Sequence, residues 1–244
     1  MNQVTDDIRT RLQQDIWRMQ GQRPAKDLLA GKVALGPILE AFPHKVFPTG
    51  AVHECITKSA ASTAATTGFV AGILSGLMYN SGPCVWISPA PLLFPPGFCS
   101  FGVEPDRLLF VQVTNEKERC WAMETCLQME GLSAVVSELP DLSFTSSRRL
   151  QLAVEKTGVT GFILRPGVGS PQATACTGRW QITPLASYHP NGMPGVGFPC
   201  WNVELQKIRG GKPGTWQLLW MDGRFQERPA ASVLPSQTRW RKIG

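Results

Sequence analysis

Across its 244 residues the chain has only three histidines and two tyrosines, and no charged residue from Ser59 to Val103. Its seven cysteines include no Cys-x-x-Cys pair, and no Gly-x-Ser-x-Gly motif occurs. Each absence excludes a chemistry. Without cysteines at ligand spacing, neither a zinc ribbon nor a dithiol redox motif is indicated. Without the nucleophile elbow, a serine hydrolase is disfavoured. The irregular set Cys55, Cys84, Cys99, Cys120, Cys126, Cys176 and Cys200 fits free, mostly buried thiols in a reducing compartment. The opening residues MNQVTDDIRTR hold no apolar run, so no signal peptide is expected. A cytoplasmic setting follows as the expectation.

The uncharged stretch raises the membrane question. Its dense apolar part, Phe69–Met78, is short of the ~20 residues a span needs, and Ser62, Thr63, Thr66 and Thr67 precede it. Gly68, Gly72 and Gly76 recur every fourth residue, which predicts a buried helix approached closely by its neighbours rather than a membrane segment.

What is present points to a folded domain. Hydrophobic residues make up 43% of the chain and charged residues 17%, enough for a core and too apolar for disorder. The charge is unevenly spread. Residues 1–146 carry 11 Lys and Arg against 14 Asp and Glu, whereas residues 147–244 carry 13 against 4. A basic rear half predicts an anionic partner there.

Residues 3–20 carry Ile8, Leu12, Ile16 and Met19 at helical spacing, a narrow apolar stripe ended by Gly21 and Pro24. This N-terminal helix, in a unit spanning 1–24, either packs at home or docks on a neighbour. A loop with Pro43 and Pro48 follows. Strands are then predicted at 51–57, 83–88, 107–113, 132–139 and 159–165, and helices at 60–79, 116–130 and 146–157, with 91–101 irregular or a short helix. Trp121, Cys126 and Met129 are expected on the apolar side of the second of these helices. Alternation of helices with continuous apolar strands predicts a mostly parallel sheet with helices on both faces. After Pro166 the texture changes. Strands are expected at 180–184, 201–208 and 215–221, with a long loop over 187–200, and they read as an antiparallel C-terminal extension.

Few residues offer catalytic chemistry. His53-Glu54-Cys55 resembles a metal or catalytic cluster on paper, but in a strand His53 and Cys55 share one face and Glu54 takes the other. The reading is a core-edge histidine and a buried thiol, with no catalytic residue and no metal site.

The stretch Phe47–Pro166 resembles the core of RecA-like proteins in the order and spacing of its segments. FPTG at 47–50 looks like the lead into the first core strand, PCVWIS at 83–88 like the next, and PPGFCSFGVEPDRLLFVQV at 95–113 like the family connection LGVDxxNLLxxQP. VTGFILRP at 159–166 is similar to a later strand. GAVHE at 50–54, TGRWQITPL at 177–185 and PCWNVELQKIRGGKPGTWQLLWMDGRF at 199–225 resemble the ImuA family, RecA-like accessory proteins of bacterial error-prone repair cassettes. The resemblance implies an α/β RecA-like core over 42–166 and a basic β extension and tail over 167–244.

A RecA-type ATPase needs a GxxxxGK[ST] loop whose backbone wraps the phosphates. Aligned on the first core strand, that loop falls on Thr57–Ala64. Thr57 and Ser62 occupy the glycine positions, Thr63 the lysine position and Ala64 the Mg²⁺-hydroxyl position, while Lys58 lies five positions early. The general-base carboxylate would fall near Ala90, and Ser137 stands at the Mg²⁺-ligating acid, with Glu138 one residue on and so on the opposite face. This degenerate phosphate loop predicts a protein without ATP hydrolysis and without a cofactor.

The resemblance thus implies a non-enzymatic adaptor in SOS mutagenesis and translesion synthesis. Its expected partners are an ImuB-type Y-family-like polymerase protein and the replicative-type polymerase that works with it. RecA, single-stranded DNA and self-association are further options that the resemblance admits. Ile8, Leu12, Ile16 and Met19 are the partner-docking candidates. Lys207, Arg209, Lys212, Arg239, Trp240, Arg241 and Lys242 are the partner or DNA candidates, since cations beside aromatics suit phosphate contact with base stacking. An ATP-dependent RecA-type DNA-binding protein and a SulA-like cell-division inhibitor are the alternatives.

Overall fold

The computed structural model describes residues 33–79, 81–90, 94–167, 169, 172–190 and 195–229. The N-terminal stripe at 8–19 and the basic end at 239–242 lie outside the described residues.

Among the described residues, nine strands form one sheet in the order β3-β2-β4-β5-β1-β6-β7-β8-β9. They are β1 (Val52–Thr57), β2 (Cys84–Ser88), β3 (Leu108–Gln112), β4 (Ala134–Glu138), β5 (Thr160–Pro166), β6 (Gly178–Tyr188), β7 (Phe198–Ile208), β8 (Gly214–Met221) and β9 (Arg224–Glu227). The pairs among β1 to β6 are all parallel, and β6-β7, β7-β8 and β8-β9 are antiparallel. The three described α-helices are α1 (Ala60–Met78), α2 (Glu116–Leu127) and α3 (Phe144–Thr157). The sheet is thus mostly parallel, with the expected antiparallel C-terminal extension.

The helices divide between the two faces, as continuous apolar strands require. On one face α1 packs with Cys55, Trp86, Val136, Phe162 and Leu164, and the same core takes in Trp180, Trp201, Val203, Leu218, Trp220 and Phe225 of the extension. On the other face Met123 and Leu127 of α2 and Leu150, Ala153 and Val154 of α3 close over Val52, Val85, Ile87, Val135 and Ile163. The extension shares the α1-side core instead of building one of its own.

By length and composition α1 is apolar enough to cross a membrane, but its glycine-rich side lies inside this core. A Cβ on Gly72 would stand 2.6 Å from Phe225 Cζ and 2.9 Å from Trp220 Cζ3, and one on Gly68 would stand 3.0 Å from Phe101 Cζ. Glycine at these positions lets aromatic rings from β8, β9 and residue 101 reach the helix axis, which is the close approach the fourfold spacing predicts.

Four details depart from the sequence reading. Before β1 the chain forms 3-10 turns at Gly36–Ala41 and Pro43–Lys45. The long loop contracts, because β6 runs on to Tyr188 and β7 begins at Phe198. A ninth strand, β9, pairs with β8. The buried side of α2 is Arg119, Met123 and Leu127; of the three residues expected there, Cys126 packs half-buried against the core, whereas Trp121 is 66% exposed and Met129, beyond the end of α2, 50%. Arg119 sets that orientation: its Nε donates to the Glu138 carbonyl at 2.9 Å, and its Nη1 donates to those of Val113 at 3.0 Å and Thr114 at 2.5 Å. A guanidinium tied to three carbonyls at strand ends turns the i, i+4, i+8 row inward.

Candidate functional site

Ligands of open α/β sheets sit beyond the carboxyl ends of parallel strands, where successive connections diverge. Here that place is the end of β1, between β5 and β6. Only Lys58 and Ser59 separate the last residue of β1 from the first of α1. The expected loop over Thr57–Ala64 is therefore a two-residue turn, with 60–64 already helical. The turn closes on itself. Ser59 caps α1, its Oγ accepting from the Ser62 amide at 3.1 Å. The Thr63 amide and hydroxyl both donate to the Ser59 carbonyl, and Thr57 and Thr63 share a 2.9 Å hydroxyl contact. The Gly167 amide donates to the Thr57 carbonyl at 2.9 Å. Lys58 is exposed, as are Ser59, Ala60 and Ala61. A phosphate-wrapping loop presents several free amides from non-helical backbone, whereas here the Ser62 and Thr63 amides are turned back onto Ser59.

Glu138 ends β4 and pairs with Leu164, on the α1 side, while Ser137 lies opposite Ile163 on the other face. Partial burial raises the Glu138 carboxyl above the usual range, with Arg119 pulling it back. The Ser137 hydroxyl is buried with no hydrogen-bond partner. Ala90 accepts from the Ser88 hydroxyl at 2.9 Å through its carbonyl and offers no acid.

A charged cluster unforeseen in the sequence lies on the α2/α3 side. Glu54 is fully buried, and its two oxygens accept from Arg165 Nη1 and Arg179 Nε, each at 2.8 Å. The Thr174 hydroxyl donates to Oε1 at 2.5 Å. Register explains the meeting: β1 lies between β5 and β6, with Glu54 opposite Arg179 and Ile56 opposite Arg165. Around this cluster, residues 172–177 are stitched down by cations. Arg179 Nη2 donates to the Gln172 carbonyl at 2.6 Å, Lys207 Nζ to Thr174 at 2.9 Å and Arg209 Nη2 to Ala175 at 3.1 Å. Two of the proposed DNA-contact residues, Lys207 and Arg209, thus bind the protein's own backbone, while Lys212 is exposed in the turn that follows. Arg179, Lys207 and Arg209 of the extension converge on Glu54 and the 172–177 segment.

His53 is buried on the α1 side. Its Nε2 donates to the Pro48 carbonyl at 2.8 Å, and its Nδ1 accepts from Trp180 Nε1 at 3.4 Å. The ring stacks between Phe47 and Phe162, and burial drives its pKa down from 6.5 to about 4. Burial pushes the thiols of Cys84 and Cys176 up to about 12 and that of Cys55 further in the same direction. These thiols are protonated and unreactive at neutral pH. Among the described residues, no group of three or more His, Cys, Asp or Glu could hold a metal ion.

The fold and turn define a class: a mixed nine-stranded α/β protein whose first strand passes into its first helix through a closed, self-capped turn. The comparisons place it further. The chain is 36% identical over 189 residues to Protein ImuA of Caulobacter vibrioides, in both the NA1000 / CB15N and the ATCC 19089 / CIP 103742 / CB 15 strains. That match covers 72% of this chain and 78% of the relative. It is 29% identical over 121 residues to the cell division inhibitor SulA of Photorhabdus laumondii subsp. laumondii, covering 48% of this chain and 68% of that protein. No family model matches the chain. The chain belongs to the ImuA family.

Proposed function

We propose that this protein is a non-hydrolysing accessory protein of DNA-damage-induced mutagenesis, built on a RecA-like scaffold and acting by contact. Its family membership supports the role in the mutagenesis cassette. The strand order supports the scaffold. The observation that carries the mechanism is the β1–α1 turn, which is two residues long and capped by Ser59 where a phosphate-wrapping loop would be longer and glycine-rich. With the nucleotide cycle removed, the molecule works as a fixed surface. It holds an ImuB-type polymerase protein, and through it the replicative-type polymerase, in the cytoplasm at damaged DNA.

The direct test is hydrolysis of ATP by the full chain with and without single-stranded DNA, beside a Lys58→Ala variant. The expected result is release at the no-protein background in all cases. DNA-dependent hydrolysis lost in the variant overturns the reading. A pull-down separates the second family reading, in which the likeness to SulA governs: polymerase-cassette proteins support the adaptor, and the tubulin-like division protein supports an inhibitor.

A further inference from the structure

The two ends of the sheet are built differently. At one end β9 is four residues long and carries Arg224 and Glu227, the usual protection of an exposed edge. At the other end β3 has no such protection. From Leu108 to Thr114 the sequence LLFVQVT contains no charge, no proline and no glycine. Leu109 is 51%, Phe110 41% and Val111 36% exposed. Both sides of the strand are apolar: Leu109 and Val111 stand beside Val85 and Ile87 of the α2/α3 side, and Phe110 beside Trp86 of the α1 side.

The backbone direction can be read as well. The Val113 amide donates to the Ser88 carbonyl of β2 at 3.0 Å. In a parallel ladder alternate residues bond to the same neighbour, so Leu109, Val111 and Val113 face β2. Leu108, Phe110 and Gln112 therefore turn their carbonyls to the open side, with the amides of Phe110 and Gln112, while the Leu108 amide donates back to the Pro105 carbonyl. Among the described residues no strand pairs with this side of β3, and an apolar edge of this kind is a template for another strand.

We propose that β3 pairs antiparallel with β3 of a second copy, about a two-fold axis at Phe110, joining two sheets into one. This register sets Phe110 against its own symmetry mate and Leu108 against the mate's Gln112. The two Phe110 residues then exchange both backbone bonds, and each Gln112 amide donates to the mate's Leu108 carbonyl. Leu109 meets the mate's Val111 on the α2/α3 side, and the two phenylalanines meet on the α1 side. The matching chemistry selects a second copy over another strand: an occupant must be apolar on both faces, and β3 itself is. A two-fold contact sets every charge near the axis against its own kind, and β3 carries none there. The closed symmetry leaves the protected β9 edges outermost and ends the assembly at two chains.

The test is the mass of the full chain in solution by light scattering across a dilution series, for wild type, Phe110→Lys and Val111→Lys, with circular dichroism to establish that each is folded. Wild type is expected at twice the 26.7 kDa chain mass when concentrated and to fall toward it on dilution. Phe110→Lys places two ammonium groups together on the axis and weakens association by about tenfold or more. Val111→Lys, which leaves the Phe110–Phe98 ring contact intact, weakens it as well, and decides the matter if Phe110→Lys does not fold. A wild-type chain that stays monomeric up to about 100 µM, where a small interface should be occupied, overturns the proposal and assigns the edge to a partner's strand. A dimer that both folded variants retain also overturns it.

Discussion

Replacing Glu54 by Gln keeps the side chain's size and removes its charge. The consequence follows from who is left behind. Arg165 is 4% exposed, so its guanidinium stays buried with the Pro140 carbonyl, at 3.3 Å, and a share in the one amide oxygen of the new glutamine in place of a carboxylate. Arg179 is 15% exposed and keeps the Gln172 carbonyl. Breaking a buried ion pair from one side costs about 3–5 kcal/mol, and the second guanidinium puts Glu54→Gln near the middle of that range, about 4 kcal/mol. Against a total stability of about 5–15 kcal/mol this is a large fraction. In urea, at a slope of about 2–3 kcal/mol per molar, the midpoint falls by roughly 1.5 M. Adding Arg165→Met should recover part of the loss, because the cost lies in the orphaned cation rather than in the missing pair. A loss below about 1 kcal/mol for Glu54→Gln, or a double variant weaker than the single by the full cost of a second lesion, refutes the argument that Glu54 neutralises this cluster.

His53 predicts an acid sensitivity. Its folded pKa, about 4, lies below the unfolded value of 6.5, so the unfolded chain binds the extra proton. The contribution is whole above pH 6.5, is lost as pH falls through the window from 6.5 to 4, and totals about 3 kcal/mol. Urea midpoints at pH 7.5 and 4.5 should therefore differ more in wild type than in His53→Phe, and equal differences reject the assignment. Gly72→Val should cost about 1–3 kcal/mol by driving a side chain into the rings of Phe225 and Trp220. Gly97→Ala, whose nearest new contact is the Phe94 ring at 3.8 Å, should be close to neutral in thermal melts, and similar costs for the two refute the packing argument.

The strands of the parallel core were legible because each is a continuous apolar run between turn residues, and such runs mark strands covered on both faces. The boundaries of β1 to β5 fall within two residues of the observed ones, and α1 starts at Ala60 as expected, whereas β6 runs four residues past its expected end. β9 carried no such signal: RFQE has one inward apolar residue, Phe225, and its strand character comes from pairing with β8 across a short turn. The orientation of α2 was misread for a different reason. Trp121 and, just past its end, Met129 are the most conspicuous apolar residues of the segment, yet hydrophobicity did not choose the face. Arg119 did, and a helix position occupied by arginine is normally assigned to solvent. The i, i+4 pair Met123 and Leu127 was the available signal.

The same lesson bears on the basic rear half. A count of cations by sequence treats each as free to attract a partner, but a folded chain has many carbonyls at strand ends and segment crossings that also need donors. Arg165 and Arg179 are drawn to one buried carboxylate, and Lys207 and Arg209 hold residues 172–177 in place. None of this can be read before strand order is known, since Glu54 and Arg165 are 111 residues apart and Glu54 and Arg179 are 125. The charge that sequence assigns to an anionic partner is therefore partly structural. A salt titration of single-stranded DNA binding separates the two roles: a lysine on phosphate steepens the dependence on salt, whereas Lys207→Ala would lower thermal stability and leave that slope alone. A slope reduced by about one unit in Lys207→Ala, with stability unchanged, would return this lysine to the nucleic-acid surface.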